Sequence, residues 1–114
     1  MTSEFLKDRL QKVIELIELA EHDISGIESK PISPYSVLAR ALCYTVEQVC
    51  EHLIALEKTL LEIPNEIPWK DVHGTRVTIA HFYDKISMRI ICKTIKDDFP
   101  SLKDKIKDIK KRVA

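Results

Sequence analysis

Leu6, Leu10, Val13, Ile17, Ala20, Ile24 and Ile27 step along the start of the chain by fours and threes, with Glu15, Glu18 and Glu21 between them. Side chains so spaced fall on one face of a helix with 3.6 residues per turn. The segment therefore reads as an amphipathic helix whose apolar face needs a core. The same period returns in Leu38, Leu42, Thr45, Val49, Leu53, Leu56 and Leu60, and again in Leu102, Ile106, Ile109 and Val113. No segment alternates convincingly as a strand would. Short connections make consecutive helices run in opposite directions, so the expected fold is all-α: an up-and-down antiparallel bundle of four to five helices.

Turn-forming residues mark the expected boundaries. The cluster from Gly26 to Pro31 should end the first helix. Ser33-Pro34 reads as an N-cap followed by proline at the first helical position, opening the second. Pro64 and Pro68 separate it from a third helix, which starts at Trp69 and runs to about Tyr83. Asp84 can cap a fourth, containing Ile86, Ile90, Ile91 and Ile95, and Pro100 is expected to interrupt before the last. The 114 residues have room for one domain, 1–114, and a core this small would gain from burial against a second copy.

Eighteen basic residues balance eighteen acidic ones, so net charge selects no partner. From Glu4 to Glu28 seven acidic residues face Lys7, Arg9 and Lys12; from Leu102 onward six basic residues face Asp104 and Asp108. Such runs read as solvated helix faces, although a basic tail attracts phosphates where it lies beside a cleft. The first residues carry no apolar signal-like run, and Arg40 interrupts the best apolar stretch, so neither a secretory signal nor a membrane span is expected. Cys43 and Cys50 are seven apart on one helix, about 10.5 Å along its axis, too far for a disulfide. With Cys92 they make an odd set, suited to a reducing cytoplasm and to roles as small buried hydrophobes.

Several chemistries are excluded by spacing. His22, His52, His73 and His81 form no His-x-x-x-His pattern, and the cysteines form no Cys-x-x-Cys pair, so no metal or cofactor is expected. Gly26 and Gly74 are the only glycines, too few for a phosphate-cradling loop. The segment PNEIPWKDVHGTRVTIAHFY, residues 64–83, stands apart. It gathers the only tryptophan, two histidines, an arginine and a tyrosine. Trp69, Arg76 and Tyr83 are spaced by seven and share one helix face, with His73 one turn before Arg76. Trp69 reads as core. His22, His52 and His73 have no functional case that outweighs surface or core placement.

The run Arg76-Val-Thr-Ile-Ala-His81-Phe-Tyr83 resembles the Arg-x4-His-x-Tyr motif of HEPN ribonucleases, in particular the HepT-like toxins. Ile67-Pro68-Trp69-Lys70 and Gly74-Thr75-Arg76 are similar to that family's Pro-Trp and Gly-x-Arg stretches. Fainter likeness reaches Glu51 and the run Asp98-Phe99-Pro100-Ser101-Leu102. The resemblance implies a HEPN-like bundle and a metal-independent endoribonuclease, with Arg76 and His81 catalytic, leaving a 2′,3′-cyclic phosphate. It further implies a two-fold dimer and a toxin–antitoxin pair. The partner would be a cognate minimal nucleotidyltransferase antitoxin, with Tyr83 as a candidate for adenylylation.

The residue types suit that chemistry. When RNA is cut by its own 2′-hydroxyl, one group takes a proton and another returns one to the leaving 5′-oxygen. Histidine, with an ordinary pKa near ~6.5, can do either. Arginine can stabilise the negative phosphorane through two parallel hydrogen bonds. Five residues along a helix turn about 500°, however, which leaves Arg76 and His81 roughly 140° apart. Either the helix ends near His81 or two copies pool their residues in one isologous cleft. Two positions depart from the family pattern: Val77 follows the arginine where a polar residue, commonly asparagine, is usual, and Phe82 stands where a polar or acidic residue often does. Both favour the alternative, a non-catalytic HEPN binding module that keeps the nucleotidyltransferase contact.

Overall fold

The computed structural model describes residues 1–27, 32–82 and 87–113, and the side chains of His81 and Phe82 lie outside that description. Every regular element among the described residues is helical: α1 (Ser3–Ile24), α2 (Val37–Leu60), α3 (Trp69–Phe82), α4 (Met88–Lys93), a π-turn (Thr94–Asp98) and α5 (Phe99–Arg112). The last three follow without a break and act as one long helix, giving a four-helix bundle. None of these helices is long and apolar enough to cross a membrane.

The apolar stripes read from the sequence form the core. Leu10, Val13, Ile17 and Ala20 of α1 meet Leu42, Val46, Val49 and Leu53 of α2 and Ile95, Ile106 and Ile109 of the last helix, all fully or almost fully buried. Polar contacts fix the directions. Lys103 reaches Glu21, while Lys110 reaches Gln11, so α5 runs antiparallel to α1. His73 reaches Glu57 and Arg76 reaches Glu51, so α3 runs antiparallel to α2. α3 packs chiefly on α2, which leaves its far side open.

Three local expectations are corrected. The second helix starts at Ser36, not Ser33: Ser33 to Ser36 close a turn, with Ser36 N–H donating to the Ser33 carbonyl at 3.1 Å. Pro34 takes the second position of that turn, where its fixed φ is equally well suited. The Ser36 hydroxyl then caps the helix by accepting from Ala39 N–H at 3.0 Å. Secondly, Pro100 does not interrupt. Proline lacks an N–H and its ring crowds the carbonyl four residues back; the π-turn widens the helix just before it, and Phe99 N–H bonds the Thr94 carbonyl five residues away. Thirdly, Cys43 and Cys50 are buried as expected, but Cys92 is only partly so. Its position on the short α4 lies beside the buried Ile91 and not within the stripe. The expected Asp84 cap and Ile86 lie outside the described residues, and Ser87 occupies the N-cap position of α4.

Candidate functional site

The start of α3 is fixed by one asparagine. Asn65 Nδ2 donates to the carbonyls of Leu60 and Ile63 at 2.8 Å each, tying the end of α2 to the turn that follows it. Its Oδ1 accepts from Ile67 N–H at 3.1 Å. Ile67 and Val72 are thereby seated in the core, and α3 sets off back along α2. Trp69 packs against the same core as expected, its Nε1 buried without a hydrogen-bond partner among the described residues.

Along this contact two residues of α3 are clasped by carboxylates of α2. His73 Nε2 lies 2.6 Å from Glu57 Oε1, and one turn later Arg76 Nε donates to Glu51 Oε1, also at 2.6 Å. Arg76 is 43% exposed and Glu51 41%. The hydrogen bond to Glu51, and next the charge of the same carboxylate, raise the guanidinium's pKa above its already high ordinary value. Arg76 is thus a fixed cation and not a proton donor. The contact uses Nε alone. Among the described residues the two terminal amino groups make no hydrogen bond, and they form the fork that matches two oxygens of a phosphate.

Of the residues singled out in the sequence, Arg76 is therefore placed on an open helix flank with its plane set by Glu51. His81 lies in the last turn of α3 by its backbone, its side chain outside the description; Tyr83 lies outside the described residues altogether. His73 proves to be part of the clasp, and Glu57 was given no role by the sequence. Val77, next to Arg76, is 43% exposed.

Two other features compete as sites. A groove of about 270 Å³ runs between α2, α3 and the π-turn, lined by Val46, Val49 and Val72 and by three carboxylates, Asp71, Asp97 and Asp98, against one cation, Lys105. Arg76 does not line it, and a net acidic lining repels a phosphate backbone. Cys50 also lines that groove. Burial, then the charges of Glu51 and Glu47, push its thiol up to about 12, so it is an inert thiol at neutral pH. No group of three or more His, Cys, Asp or Glu able to hold a metal occurs among the described residues.

Comparison with known proteins points to a single family. The family model "Ribonuclease HepT-like" matches residues 6–109. The chain is 29% identical over 100 residues to a "Putative RNase" of Caldanaerobacter subterraneus subsp. tengcongensis, covering 88% of this chain and 89% of that one. It is 29% identical over 105 residues to a "Probable ribonuclease HepT" of Thermococcus cleftensis, covering 92% and 96%. No solved structure matches significantly. Residues 6–109 take in all but the first turn of α1 and the end of α5, and with them both clasps between α2 and α3. The chain belongs to the HepT-like ribonuclease family.

Proposed function

We propose that this chain is a metal-independent endoribonuclease in which Arg76 binds and stabilises the reacting phosphate and His81 moves protons. The observation that carries this reading is the Arg76–Glu51 contact, which fixes the guanidinium while leaving its phosphate-matching fork unused. The substrate 2′-hydroxyl attacks the adjacent phosphorus, its proton passing to a base. The 5′-oxygen leaves with a proton from an acid, and a 2′,3′-cyclic phosphate remains. Arg76 answers the negative charge that grows on the phosphorane.

One α3 helix turns Arg76 and His81 roughly 140° apart, so we place the complete site at a two-fold contact in which two copies each supply both residues. Two histidines then divide the acid and base roles. The remainder of the proposal follows the family: the toxin of a toxin–antitoxin pair, held in check by a cognate minimal nucleotidyltransferase. Adenylate on Tyr83 would put a bulky anion where it competes with RNA for Arg76.

A second reading has one observation in its favour. Val77, half-exposed beside Arg76, offers an apolar contact where a polar group would assist catalysis. On that reading the chain is a binding module without activity. Purified protein incubated with RNA in EDTA separates the two. Cleavage to cyclic-phosphate ends, lost in both Arg76→Ala and His81→Ala with thermal unfolding unchanged, supports the enzyme. No cleavage by the unmodified chain, with nucleotidyltransferase binding intact, supports the module; full activity in both variants removes these residues from the mechanism.

A further inference from the structure

Arg76, Lys103 and Arg112 are each answered by a carboxylate. Arg9 is not. Among the described residues its Nη2 lies 3.1 Å from Nδ1 of His52. A guanidinium has no lone pair to offer, so it donates, and the imidazole nitrogen accepts in its uncharged form. Burial, then the positive charges of Arg9 and Lys12, lower the His52 pKa below its ordinary value, which keeps the ring in that form. The arginine is therefore held in place without being neutralised. Lys12 adds a second cation one turn further along α1, close enough to act on His52. Phe5, 51% exposed, lies under the guanidinium with its ring centre 6.0 Å away.

The position of this cluster matters as much as its charge. His52 directly follows Glu51 on α2. One reaches across to Arg9 on α1, the other to Arg76 on α3. Arg9 and Arg76 thus lie at one level of the bundle, bound to neighbouring α2 positions about 100° apart around a helix about 10–12 Å thick with its side chains. A few nucleotides of single strand cover that width. Glu51, the carboxylate whose charge acts on His52, is already committed to Arg76.

We infer that Arg9, Lys12 and Phe5 form a single-stranded RNA subsite that holds nucleotides flanking the phosphate at Arg76. The two cations take backbone phosphates, and Phe5 offers a face on which a base stacks; unpaired cations with an adjacent exposed aromatic are the combination that binds single strands with little sequence preference. The inference rests on the ribonuclease reading for its choice of RNA, but its test does not require cleavage.

The probe is a fluorescein-labelled single-stranded 2′-O-methyl RNA of about 12 nucleotides, which cannot be cut through its 2′-oxygen. Its binding is followed by anisotropy over a range of salt concentrations. Arg9→Gln keeps a neutral donor for His52 but removes the charge. It should weaken binding about tenfold and make the slope of log affinity against log salt shallower by about 0.7, the share of one phosphate on a single strand. Lys12→Gln should do the same, and Phe5→Ala should weaken binding about tenfold with the slope unchanged. Thermal unfolding of each variant checks that the bundle is intact. Unchanged affinity and slope in all three variants would overturn the subsite, as would a loss of affinity confined to variants whose unfolding temperature also falls. Cleavage kinetics on unmodified RNA keep the two proposals apart. Cutting by the unmodified chain together with binding that is indifferent to these variants sinks the subsite and leaves the enzyme, whereas variant-sensitive binding without any cutting keeps the subsite and sinks catalysis.

Discussion

Glu51 holds Arg76 by its Nε alone, so the carboxylate sets the direction of the guanidinium without covering the end that would meet a phosphate. This makes Glu51 a positioning residue. Its removal should leave the charge of Arg76 intact and lose only its orientation. Glu51→Ala is expected to lower kcat about tenfold to a hundredfold, the scale of a misplaced electrostatic contact, with a smaller change in KM. Glu51→Gln, which still accepts a hydrogen bond, should recover much of the loss. If Glu51→Ala cleaves RNA at the unmodified rate, the clasp is only structural.

Gly74 lies in the interior of α3, one turn ahead of Thr78, whose hydroxyl bonds the Gly74 carbonyl at 2.9 Å. A Cβ built at Gly74 meets nothing within 4 Å. Glycine costs a helix interior roughly 0.5–1 kcal/mol relative to alanine, and no close contact among the described residues repays it. Gly74→Ala should therefore stabilise the isolated protein by about that amount, read from the urea midpoint. Should the same variant lose RNA cleavage or dimer formation while gaining stability, another molecule approaches the α3 backbone closely at this point.

His52 predicts a pH dependence of stability. Its pKa in the folded chain lies below the ordinary 6.5, first through burial and then through Arg9 and Lys12. Between those two values the unfolded chain binds a proton that the folded chain does not. Stability contributed by the neutral ring is thus fully present above about 6.5 and is lost as pH falls towards the folded pKa. Urea midpoints measured above and below pH 6.5 should fall on the acid side for the unmodified chain, and fall less for His52→Gln. An identical fall in both would assign the dependence to other groups.

The apolar period of α1, α2 and α5 was plain in the sequence because each stripe is local: Leu10, Val13 and Ile17 declare a face whatever they pack against. The third helix was read correctly from Trp69, with its end obscured only by residues beyond Phe82. Contacts between helices were not legible in the same way. That Glu57 meets His73, or Glu51 meets Arg76, depends on how two helices are set against each other, and no spacing within either one records it. His52 looked unremarkable for the same reason, since its partner is forty-three residues away on α1. The errors at Ser33 and Pro100 are of another kind. Proline fits both the first turn of a helix and the second position of a β-turn, and a proline inside a helical period does not say whether the chain breaks or widens to admit it.

That widening has a consequence along the whole C-terminal third. The π-turn at Thr94–Asp98 is in effect a one-residue insertion into a continuous helix, and it determines the angular phase of everything after it. Restoring plain α-helical winding there without removing a residue would swing each later side chain by about 100°. Lys103 would leave Glu21, Lys110 would leave Gln11, and Ile106 and Ile109 would rotate out of the core together. A surface loop absorbs a change of length where it occurs. Here the extra residue is absorbed by widening, so a one-residue deletion within these five that restores plain α winding leaves the fourteen residues of α5 in phase, whereas the same deletion later in the helix turns every residue beyond it.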